Sequence, residues 1–570
     1  MRTIAAQLDI AFRNAIRTAF GLEADPLISV SQNEKFGDYQ SNAAMGLAKQ
    51  AKSNPRQVAE QIKAKLELGE MASEVSIAGP GFINVRLNPL WLARQVEHAA
   101  LDERLGLEPA SSPLRVVVDY SAPNVAKQMH VGHLRSTIIG DAASRALEFQ
   151  GHHIIRQNHL GDWGTQFGML ITHLKRTGQG ASARIEDLDK FYKEARTHFD
   201  ADPSFADEAR ATVVRLQAGV AEEKELWLQI VEETRRHFQP IYQRLGVKLT
   251  EADERGESFY NPMLPAVVAE LLEKQIAVRS EGAVVVFTEG EEAPLIIQKQ
   301  DGGYGYATTD LAAIRYRVGT LQASRIIYFV GSPQAQHFRQ VFATARRADW
   351  APDDVTLEHA AFGSVLGEDR KMFKARSGES VKLVDLLDEA QERALAVVTS
   401  KNPELPPDQR TAIARAVGIG AVKYADLSKE RTSDYIFSFD TMLALEGNTA
   451  PYLQYAYARI RSIFRKAQER GVVIAPGAQV TLESSHEIGL AKHVLRLPEI
   501  IDLVARELKP HHLCSYLYDL ASKFSGFFEN CPVLQSEDPT RSSRLQICGI
   551  TARTLATGLD LLGIEHPEQM

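Results

Sequence analysis

Cysteine is scarce in this chain, and the few that occur are far apart. Only three are present among 570 residues, at Cys514, Cys531 and Cys548, and none belongs to a Cys-x-x-Cys pair. This spacing excludes a disulfide framework and lacks the signature of a zinc site. We therefore expect a reducing compartment and no protein-bound structural metal.

Long apolar runs are also missing. No segment approaches the roughly 18 consecutive apolar residues that a membrane-spanning helix needs, and the N-terminus has no apolar signal core. Residues 1–20 are amphipathic and contain arginines, which faintly suggests a transit peptide, but the pattern continues directly into a segment typical of folded protein. These features predict a cytoplasmic protein without membrane contacts.

An excess of positive charge is absent as well. The formal net charge of −8, with 24% charged and 44% hydrophobic residues, is typical of a globular protein. It excludes a nucleic-acid binder that is basic throughout, although local basic surfaces remain compatible with it. The chain is too long for one hydrophobic core, so three to five domains are expected.

What the sequence does contain is centred on residues 115–141. The β-branched segment Arg115–Val118 predicts a buried parallel strand, and a helix is predicted to begin near His130. A helix begins with unpaired N–H groups and partial positive charge, which suit a phosphate. His130 and His133 would share one face of it, with the side-chain-free Gly132 between them for an adenine ring. The alternative is that both histidines are merely polar surface.

The chain after this segment alternates strands and helices, with one interruption. His152–Arg156 predicts the next strand, and the glycine-spaced loop Asn158–Gly168 follows it at the edge where open α/β sheets bind ligands. Residues from about 171 to 290 contain long charged helices without the chemistry of an editing site, so we interpret them as an insertion. Strand-like segments resume at 282–287, 295–298 and 325–330, and this alternation favours parallel pairing.

The two ends of the chain differ from this central part. Residues 1–110 combine helices with two strand segments around a Gly-Pro-Gly bend, which predicts a small α+β domain. Residues 441–570 carry apolar series at helical spacing, which predict a helical bundle. The expected fold class is therefore α/β multidomain, with a Rossmann-type parallel-sheet catalytic domain at 111–440 that contains the inserted helical region.

Several stretches resemble a known family. His130-Val-Gly-His133 resembles the first signature of class I aminoacyl-tRNA synthetases, and Ser121–His130 is similar to the arginyl-tRNA synthetase version of it. Gly447–Arg461 resembles the start of the arginyl-type anticodon-binding domain. Residues 1–110 resemble the N-terminal domain that touches the tRNA elbow in that family. The similarity extends through nearly the whole chain.

The resemblance implies an arginine–tRNA ligase. ATP, with Mg²⁺ as part of that substrate, would activate L-arginine to arginyl-adenylate, and the amino acid would pass to the 3′-terminal adenosine of tRNA(Arg). Similar enzymes bind tRNA before they activate arginine, and we expect a monomer. The competing interpretations are a catalytically inactive tRNA-binding paralogue, a class I synthetase for another amino acid, and another nucleotidyl transferase with the same histidine chemistry.

Selection of arginine makes specific demands on a site. The guanidinium is planar, permanently charged and has five N–H donors, so it requires acceptors in a matching plane, ideally carboxylates. The resemblance assigns the guanidinium to Glu257, Tyr306 and Asp310, and the amino and carboxylate ends to Asn124 and Gln334. The alternatives are that Asp310 is the N-cap of its own helix and that Glu257 is an ordinary surface acid.

A second cationic segment runs from Lys371 to Arg376. Class I synthetases have a Lys-Met-Ser-Lys-Ser loop here, whereas this chain reads Lys371-Met-Phe-Lys374-Ala, with both serines replaced. Departing pyrophosphate requires cationic charge, which Lys127 of the first loop could share. Which lysine acts stays open, as does the alternative of a solvated charged loop. The resemblance assigns ATP binding to His130, Gly132, His133 and Lys374, and catalysis to His130, His133, Lys127, Lys371 and Lys374.

Two residues of the N-terminal domain are implied in tRNA binding. Phe82 and Asn84 match positions that contact a D-loop base in the family, where an aromatic ring can stack and an amide can read a base edge. The alternative for Phe82 is a core position on an alternating strand. In the C-terminal bundle we expect Tyr452, Tyr455 and Tyr457 in the core. The alternative is that these rings, with Arg459 and Arg461, bind splayed bases, and we assign no residue to an anticodon base.

Overall fold

The N-terminal domain packs helices on a small antiparallel sheet. The computed structural model describes residues 2–31, 33, 35–178, 185, 187–367, 369–371, 373, 381–472 and 477–570. The elements of this domain are α1 (Ile4–Phe20), β1 (Ile28–Val30), β2 (Tyr39–Ser41), α2 (Ala43–Gln50), α3 (Pro55–Lys65), β3 (Ala72–Ala78), β4 (Phe82–Leu87) and α4 (Pro89–Leu101). The strands pair in the order β1-β2-β4-β3. Helix α1 forms where predicted because its apolar residues recur on one buried face and Thr3 caps its first turn.

The central domain begins with two strand–helix units. Its first elements are β5 (Arg115–Asp119), α5 (Val131–Phe149), β6 (His153–Gln157) and α6 (Gln166–Arg176). Strands β5 and β6 pair in parallel, from Arg115 opposite His153 to Asp119 opposite Gln157. Both strands were predicted from their β-branched residues, and their carboxyl ends lie at the same edge of the sheet.

Helices and a separate small sheet interrupt this alternation. They are α7 (Leu188–Ala201), α8 (Pro203–Gln217), α9 (Ala221–Leu245), α10 (Glu257–Tyr260), α11 (Leu264–Glu273), β7 (Val278–Ser280), β8 (Ala283–Val286) and β9 (Leu295–Gln298). The expectation of parallel pairing is wrong for β8 and β9, which pair antiparallel in the order β7-β8-β9. The connection between them is too short for the crossover that parallel strands require.

The second half completes the parallel sheet. It contains α12 (Tyr306–Gly319), β10 (Arg325–Tyr328), α13 (Ala335–Arg347), β11 (Thr356–His359), β12 (Val365–Leu366), α14 (Leu383–Lys401), α15 (Pro407–Leu427), β13 (Tyr435–Ile436) and α16 (Phe439–Met442). The sheet has the strand order β11-β10-β5-β6, with all neighbours parallel. This order brings the ends of β5, β6 and β10 together, and the loops after these strands form one edge.

The C-terminal part is a helical bundle. Its helices are α17 (Ala450–Glu469), α18 (Ser485–Val494), α19 (Leu497–Glu507), α20 (His511–Asn530) and α21 (Thr540–Leu561). Glu499 of α19 accepts hydrogen bonds from the Ala5 backbone N–H, at 3.0 Å, and from the Tyr39 hydroxyl, at 3.1 Å. The first and last domains are thereby joined directly. In the part of the chain that the structure describes, no helix is long and apolar enough to cross a membrane.

Candidate active site

The loop that follows β5 has an unusual backbone. Ser121, Ala122 and Ala126 all have positive φ, at 75°, 47° and 63°, a conformation that residues with a Cβ rarely adopt. Strain of this kind persists only where surrounding contacts stabilise it, and it is concentrated at functional sites. Contacts from neighbouring elements must therefore hold this loop in its conformation.

The bonds that hold this loop come from neighbouring elements. The Ala122 N–H donates to Asn158 Oδ1 at 3.0 Å, and the Ala126 N–H donates to Thr234 Oγ1 of α9 at 2.9 Å. The Ser121 hydroxyl lies 2.6 Å from the Tyr242 hydroxyl, also on α9. Sequence reasoning missed Thr234 and Tyr242, because a buried threonine or tyrosine in a charged helix gives no local signal of a role at the sheet edge.

The signature histidines are arranged by a reciprocal cap at the start of α5. His130 Nδ1 accepts from the Gly132 N–H at 3.0 Å, and His133 Nδ1 accepts from the His130 N–H at 3.2 Å. A nitrogen that accepts carries no proton, so each neutral ring has its proton on Nε2. The ring centroids are 4.1 Å apart. The two residues thus form a pair of N–H donors with a defined tautomer.

Both imidazoles are neutral at pH 7. Burial lowers the pKa of His130, and burial together with the neighbouring His130 lowers the pKa of His133 to about 3. A Cβ on Gly132 would lie 2.7 Å from His130 Cε1, so a side chain there would displace the capping ring. The two histidines are therefore arranged as neutral N–H donors, and Gly132 contributes no side chain between them.

The expectation that the start of α5 offers unpaired backbone N–H groups to a phosphate is wrong. The Gly132 N–H is taken by His130 Nδ1, the Val131 N–H donates to the Val381 carbonyl at 3.0 Å, and the His133 N–H donates to the His130 carbonyl at 2.8 Å. The first turn of α5 is capped by its own histidine and by the chain that precedes α14. A phosphate at this site would consequently meet imidazole N–H groups rather than unpaired backbone donors.

Glu257 and Asp310 lie within electrostatic reach of each other. Burial, together with the carboxylates of Asp162 and Asp310, raises the pKa of Glu257 to about 7. Asp162, which sequence reasoning missed, is also buried, and it accepts from the Ser258 N–H at 2.8 Å and the Ser258 hydroxyl at 2.6 Å. Glu257 is not an ordinary surface acid, because its neighbours are acids and its pKa reflects them.

Asp310 is not the N-cap of its helix. Gly305 occupies the cap position of α12, whereas Asp310 lies in the second turn, one turn after Tyr306 and on the same face. Asp310 Oδ2 accepts a hydrogen bond from His337 Nε2 of α13 at 2.6 Å. The Tyr306 side chain is exposed, and its ring centroid is 4.7 Å from that of His337. The helices α12 and α13 thus bring a carboxylate, a phenol and an imidazole together.

The residues assigned to the other end of the amino acid are exposed amides. Asn124 lies on the strained loop and bridges to Gly161, whose hypothetical Cβ would be 2.8 Å from Asn124 Oδ1. Gln334 ends the short turn after β10 and is the cap of α13. Asn124 and Gln334 therefore follow the neighbouring parallel strands β5 and β10, whereas Glu257 begins α10 and Asp310 lies within α12.

The cationic segment is described only in part. Lys371 is exposed in a turn closed by a 2.8 Å bond from the Gly367 N–H to the Lys371 carbonyl. Lys374 lies outside the described residues. Lys127 is exposed, and its Nζ is 4.6 Å from the centroid of Tyr192 in α7. Lys382, which sequence reasoning did not consider, forms an isolated β-bridge with His130. The chain that follows the cationic segment therefore runs beside the signature histidines.

The implied tRNA-binding residues of the first domain differ in exposure. Phe82 is half-buried at the start of β4, on the face opposite the core residues Ile83 and Val85. Asn84 shares that face but is 1% exposed, and neither its Oδ1 nor its Nδ2 has a hydrogen-bond partner among the described residues. A base edge would satisfy both atoms only after the covering side chains had moved.

The bundle contains a cleft of about 830 Å³ between α17, α20 and the C-terminal residues. Tyr455, Arg459 and Phe528 line it, and the Arg459 guanidinium lies 4.4 Å from the Phe528 ring centroid. The expectation of a core position is confirmed for Tyr457, which is buried, and wrong for Tyr455, which is 49% exposed. An exposed ring beside cations is suited to an unpaired base.

Three segments match described families. Residues 95–439 match class I tRNA synthetases (R), catalytic domain; residues 453–570 match the DALR anticodon binding domain; and residues 6–87 match the arginyl tRNA synthetase N terminal domain. The chain is 53% identical over 561 residues to the arginine–tRNA ligase of Salmonella agona, with 96% of each chain covered. It is 52% identical over 583 residues to that of Synechococcus elongatus, with 99% of each covered.

Solved structures agree with these matches over the whole length. The arginyl-tRNA synthetase of Plasmodium falciparum has a TM-score of 0.88 and 32% identity, and that of Thermus thermophilus has 0.83 and 26%. Both comparisons cover 100% of this chain and 100% of the other. With its parallel-sheet domain, its acid pair and its two terminal domains, the chain belongs to the arginyl-tRNA synthetase family of class I aminoacyl-tRNA synthetases.

Proposed function

We propose that this protein is an arginine–tRNA ligase, which activates L-arginine with MgATP and transfers it to tRNA(Arg). The observation that carries the proposal is that Glu257, which interacts with Asp310, donates its N–H to the Leu160 carbonyl at 3.0 Å, in the loop that bridges to the β5 loop before His130 and His133. An acid whose pKa is raised by a neighbouring acid gains from a permanent cation placed between the two. The relatives named above, which share this chain's domains, support the same activity.

In the first step, an oxygen of the arginine carboxylate attacks the α-phosphorus of ATP. The bond from that phosphorus to the bridging oxygen breaks, so that arginyl-adenylate forms and pyrophosphate leaves. The Nε2–H groups of His130 and His133 donate to the phosphate oxygens on which negative charge develops. Mg²⁺ would enter with ATP and neutralise part of its charge. Catalysis rests on positioning and electrostatics, without a covalent enzyme intermediate.

The departing pyrophosphate requires cations, and three lysines are candidates. We assign this role to Lys371 and Lys374, with Lys127 beside the signature as a third contributor. Single-turnover formation of the adenylate by Lys371→Ala, Lys374→Ala and Lys127→Ala would rank them. We expect the largest loss of rate from a lysine of the cationic segment, because Lys127 already contacts the Tyr192 ring. An equal and small loss in all three would contradict the assignment.

In the second step, the 2′-hydroxyl of the terminal adenosine attacks the carbonyl carbon of the adenylate, and AMP leaves. We assign the anticodon loop to the cleft lined by Tyr455, Arg459 and Phe528, and the D-loop to the β4 face with Phe82 and Asn84. The match of the bundle to an anticodon-binding domain supports the first assignment. Because one chain carries both tRNA-contacting regions, we propose that it acts as a monomer, in the cytoplasm, where charged tRNA is used.

One assay tests the proposal as a whole. Exchange of radioactive pyrophosphate into ATP is measured with each of the twenty amino acids, with and without total tRNA. Of the twenty amino acids, we expect only arginine to support exchange, and only when tRNA is present. Exchange with another amino acid would show a different cargo, exchange without tRNA would contradict the order of binding, and no exchange at all would indicate a non-catalytic protein.

A further inference from the structure

His337 contacts two of the three residues proposed to bind the guanidinium. Its Nε2 is 2.6 Å from Asp310 Oδ2, and its ring centroid is 4.7 Å from that of Tyr306. The side chains of His337 and Asp310 are 9% and 18% exposed, so water competes little for this bond. Gln334 lies one turn earlier on the same segment. His337 is therefore placed between both ends of the proposed arginine pocket.

The imidazole has little freedom to move. It lies where α12 meets α13, and its ring centroid is 5.3 Å from that of Phe338, a buried residue of the hydrophobic core that α11, α12 and β10 share with α13. Phe338 in turn lies 4.9 Å from the Tyr328 ring at the end of β10. The ring of His337 is thus supported by the core beneath the sheet edge, and the direction of its N–H is set by that packing.

This bond determines how Asp310 can meet a substrate. A carboxylate has two oxygens and can rotate, and near another acid it would turn away from the like charge. Because Nε2–H donates to Oδ2, the rotation is restricted, and Oδ1, which has no hydrogen-bond partner among the described residues, can accept from a guanidinium. Hydrogen-bond partners that orient metal-binding side chains change metal affinity roughly 10- to 100-fold when they are removed, and the same physical argument applies to a carboxylate that binds an organic cation.

We propose that His337 is a positioning residue for the recognition of arginine, which holds Asp310 through Oδ2 so that Oδ1 faces the guanidinium. This inference rests on the proposed function and deepens it. His337 does not touch the reacting atoms, so it should influence the binding of the amino acid and leave the chemical step unchanged. An orienting role of this kind separates the Michaelis constant for arginine from kcat.

The test compares two substitutions that differ in hydrogen bonding. His337→Leu removes the donor, whereas His337→Gln keeps an amide N–H at a similar distance from the backbone. We expect His337→Leu to raise KM for arginine roughly tenfold to hundredfold, as befits the loss of a hydrogen bond to a charged group. KM for ATP and kcat should stay within about twofold. His337→Gln should restore KM for arginine to within about threefold of the parent protein.

Arg339→Ala is the matched control, because Arg339 lies on the same helix, is 63% exposed and pairs with Glu291. It should change none of these constants. An unchanged KM for arginine in His337→Leu would overturn the inference. So would an equal fall of kcat in arginine activation and in transfer to tRNA. If circular dichroism shows that His337→Leu is unfolded, His337→Gln provides the test instead. A tenfold rise of its KM for arginine would contradict the positioning role. Failure of the parent protein to charge tRNA with arginine would instead refute the proposed function.

Discussion

At one end of the proposed arginine pocket two acids, Glu257 and Asp310, interact through space, whereas at the other end the amides of Asn124 and Gln334 are exposed and neutral. The charged end depends on desolvation, which strengthens each interaction with a cation. The neutral end depends on the backbone instead, because Asn124 lies on a loop with three left-handed residues that α9 holds in place. The difference teaches that the permanently charged guanidinium is recognised by opposite charge. The zwitterionic end of arginine is recognised by the fixed geometry of its hydrogen-bond partners.

The largest effect should come from removing the charge of Asp310. Asp310→Asn leaves the volume intact but deletes the carboxylate, so we expect kcat/KM for arginine in pyrophosphate exchange to fall about 10²- to 10⁴-fold, the loss typical of one partner of a half-buried ion pair. The affinity for tRNA, measured by filter binding, should stay within about twofold. Unchanged exchange would remove Asp310 from the pocket and erase the contrast between the two ends.

Glu257 should make arginine binding depend on pH. Because its pKa in the empty site is about 7, a proton must leave before it can bind the guanidinium, so KM for arginine should rise as pH falls below 7, by up to about tenfold per pH unit. Glu257→Gln should have a raised KM that changes little between pH 5.5 and 8. Parallel pH profiles for the variant and the parent protein would contradict this role.

The same residue makes a prediction about stability. In the unfolded chain Glu257 ionises above about pH 4.5, whereas in the folded protein it stays protonated up to about pH 7, so its contribution to stability is lost as pH rises between these values. Glu257→Gln should therefore increase the free energy of unfolding at pH 8 by up to about 3 kcal/mol and change it little at pH 4. Urea denaturation at both pH values would measure this, and an increase at pH 4 alone would contradict the sign.

A smaller effect is expected where the neutral end is supported from outside. Tyr242→Phe removes the hydroxyl that lies 2.6 Å from the Ser121 hydroxyl and accepts from Asn158 Nδ2 at 3.1 Å. We expect the free energy of unfolding to fall by about 1–2 kcal/mol and kcat for activation to fall about tenfold, because the strained loop is released. Thr234→Val, which removes the bond to Ala126, should behave in the same way. Full activity in both variants would show that the loop needs no support from α9.

The smallest effect should come from Gln334. Its side chain is exposed, so Gln334→Ala would remove one solvent-accessible hydrogen bond, and we expect KM for arginine to rise only about twofold to tenfold. Steady-state exchange kinetics measure this directly. A loss as large as that of Asp310→Asn would reverse the contrast, since the neutral end would then dominate recognition.

Sequence patterns predicted the elements that local chemistry determines. The β-branched segments at β5 and β6 form parallel strands, and the apolar stripe of α1 forms a helix, because side-chain spacing alone decides which face is buried. Asp310 was predicted as a ligand or as an N-cap, and only the helix start at Gly305 separates these. The pairing of β8 with β9 was not predicted correctly, since strand direction depends on the connection and not on composition.

The positions of β5, β6 and β10 along the chain, the signature and its helix, and the two terminal domains were therefore predictable from the amino-acid sequence, because each rests on residues close together along the chain. Tertiary structure alone decided how Tyr242 holds the strained loop and that His337 meets Asp310. Such contacts join side chains on separate elements, and their geometry follows from packing. No local pattern encodes a hydrogen bond between two helices that are distinct in the chain.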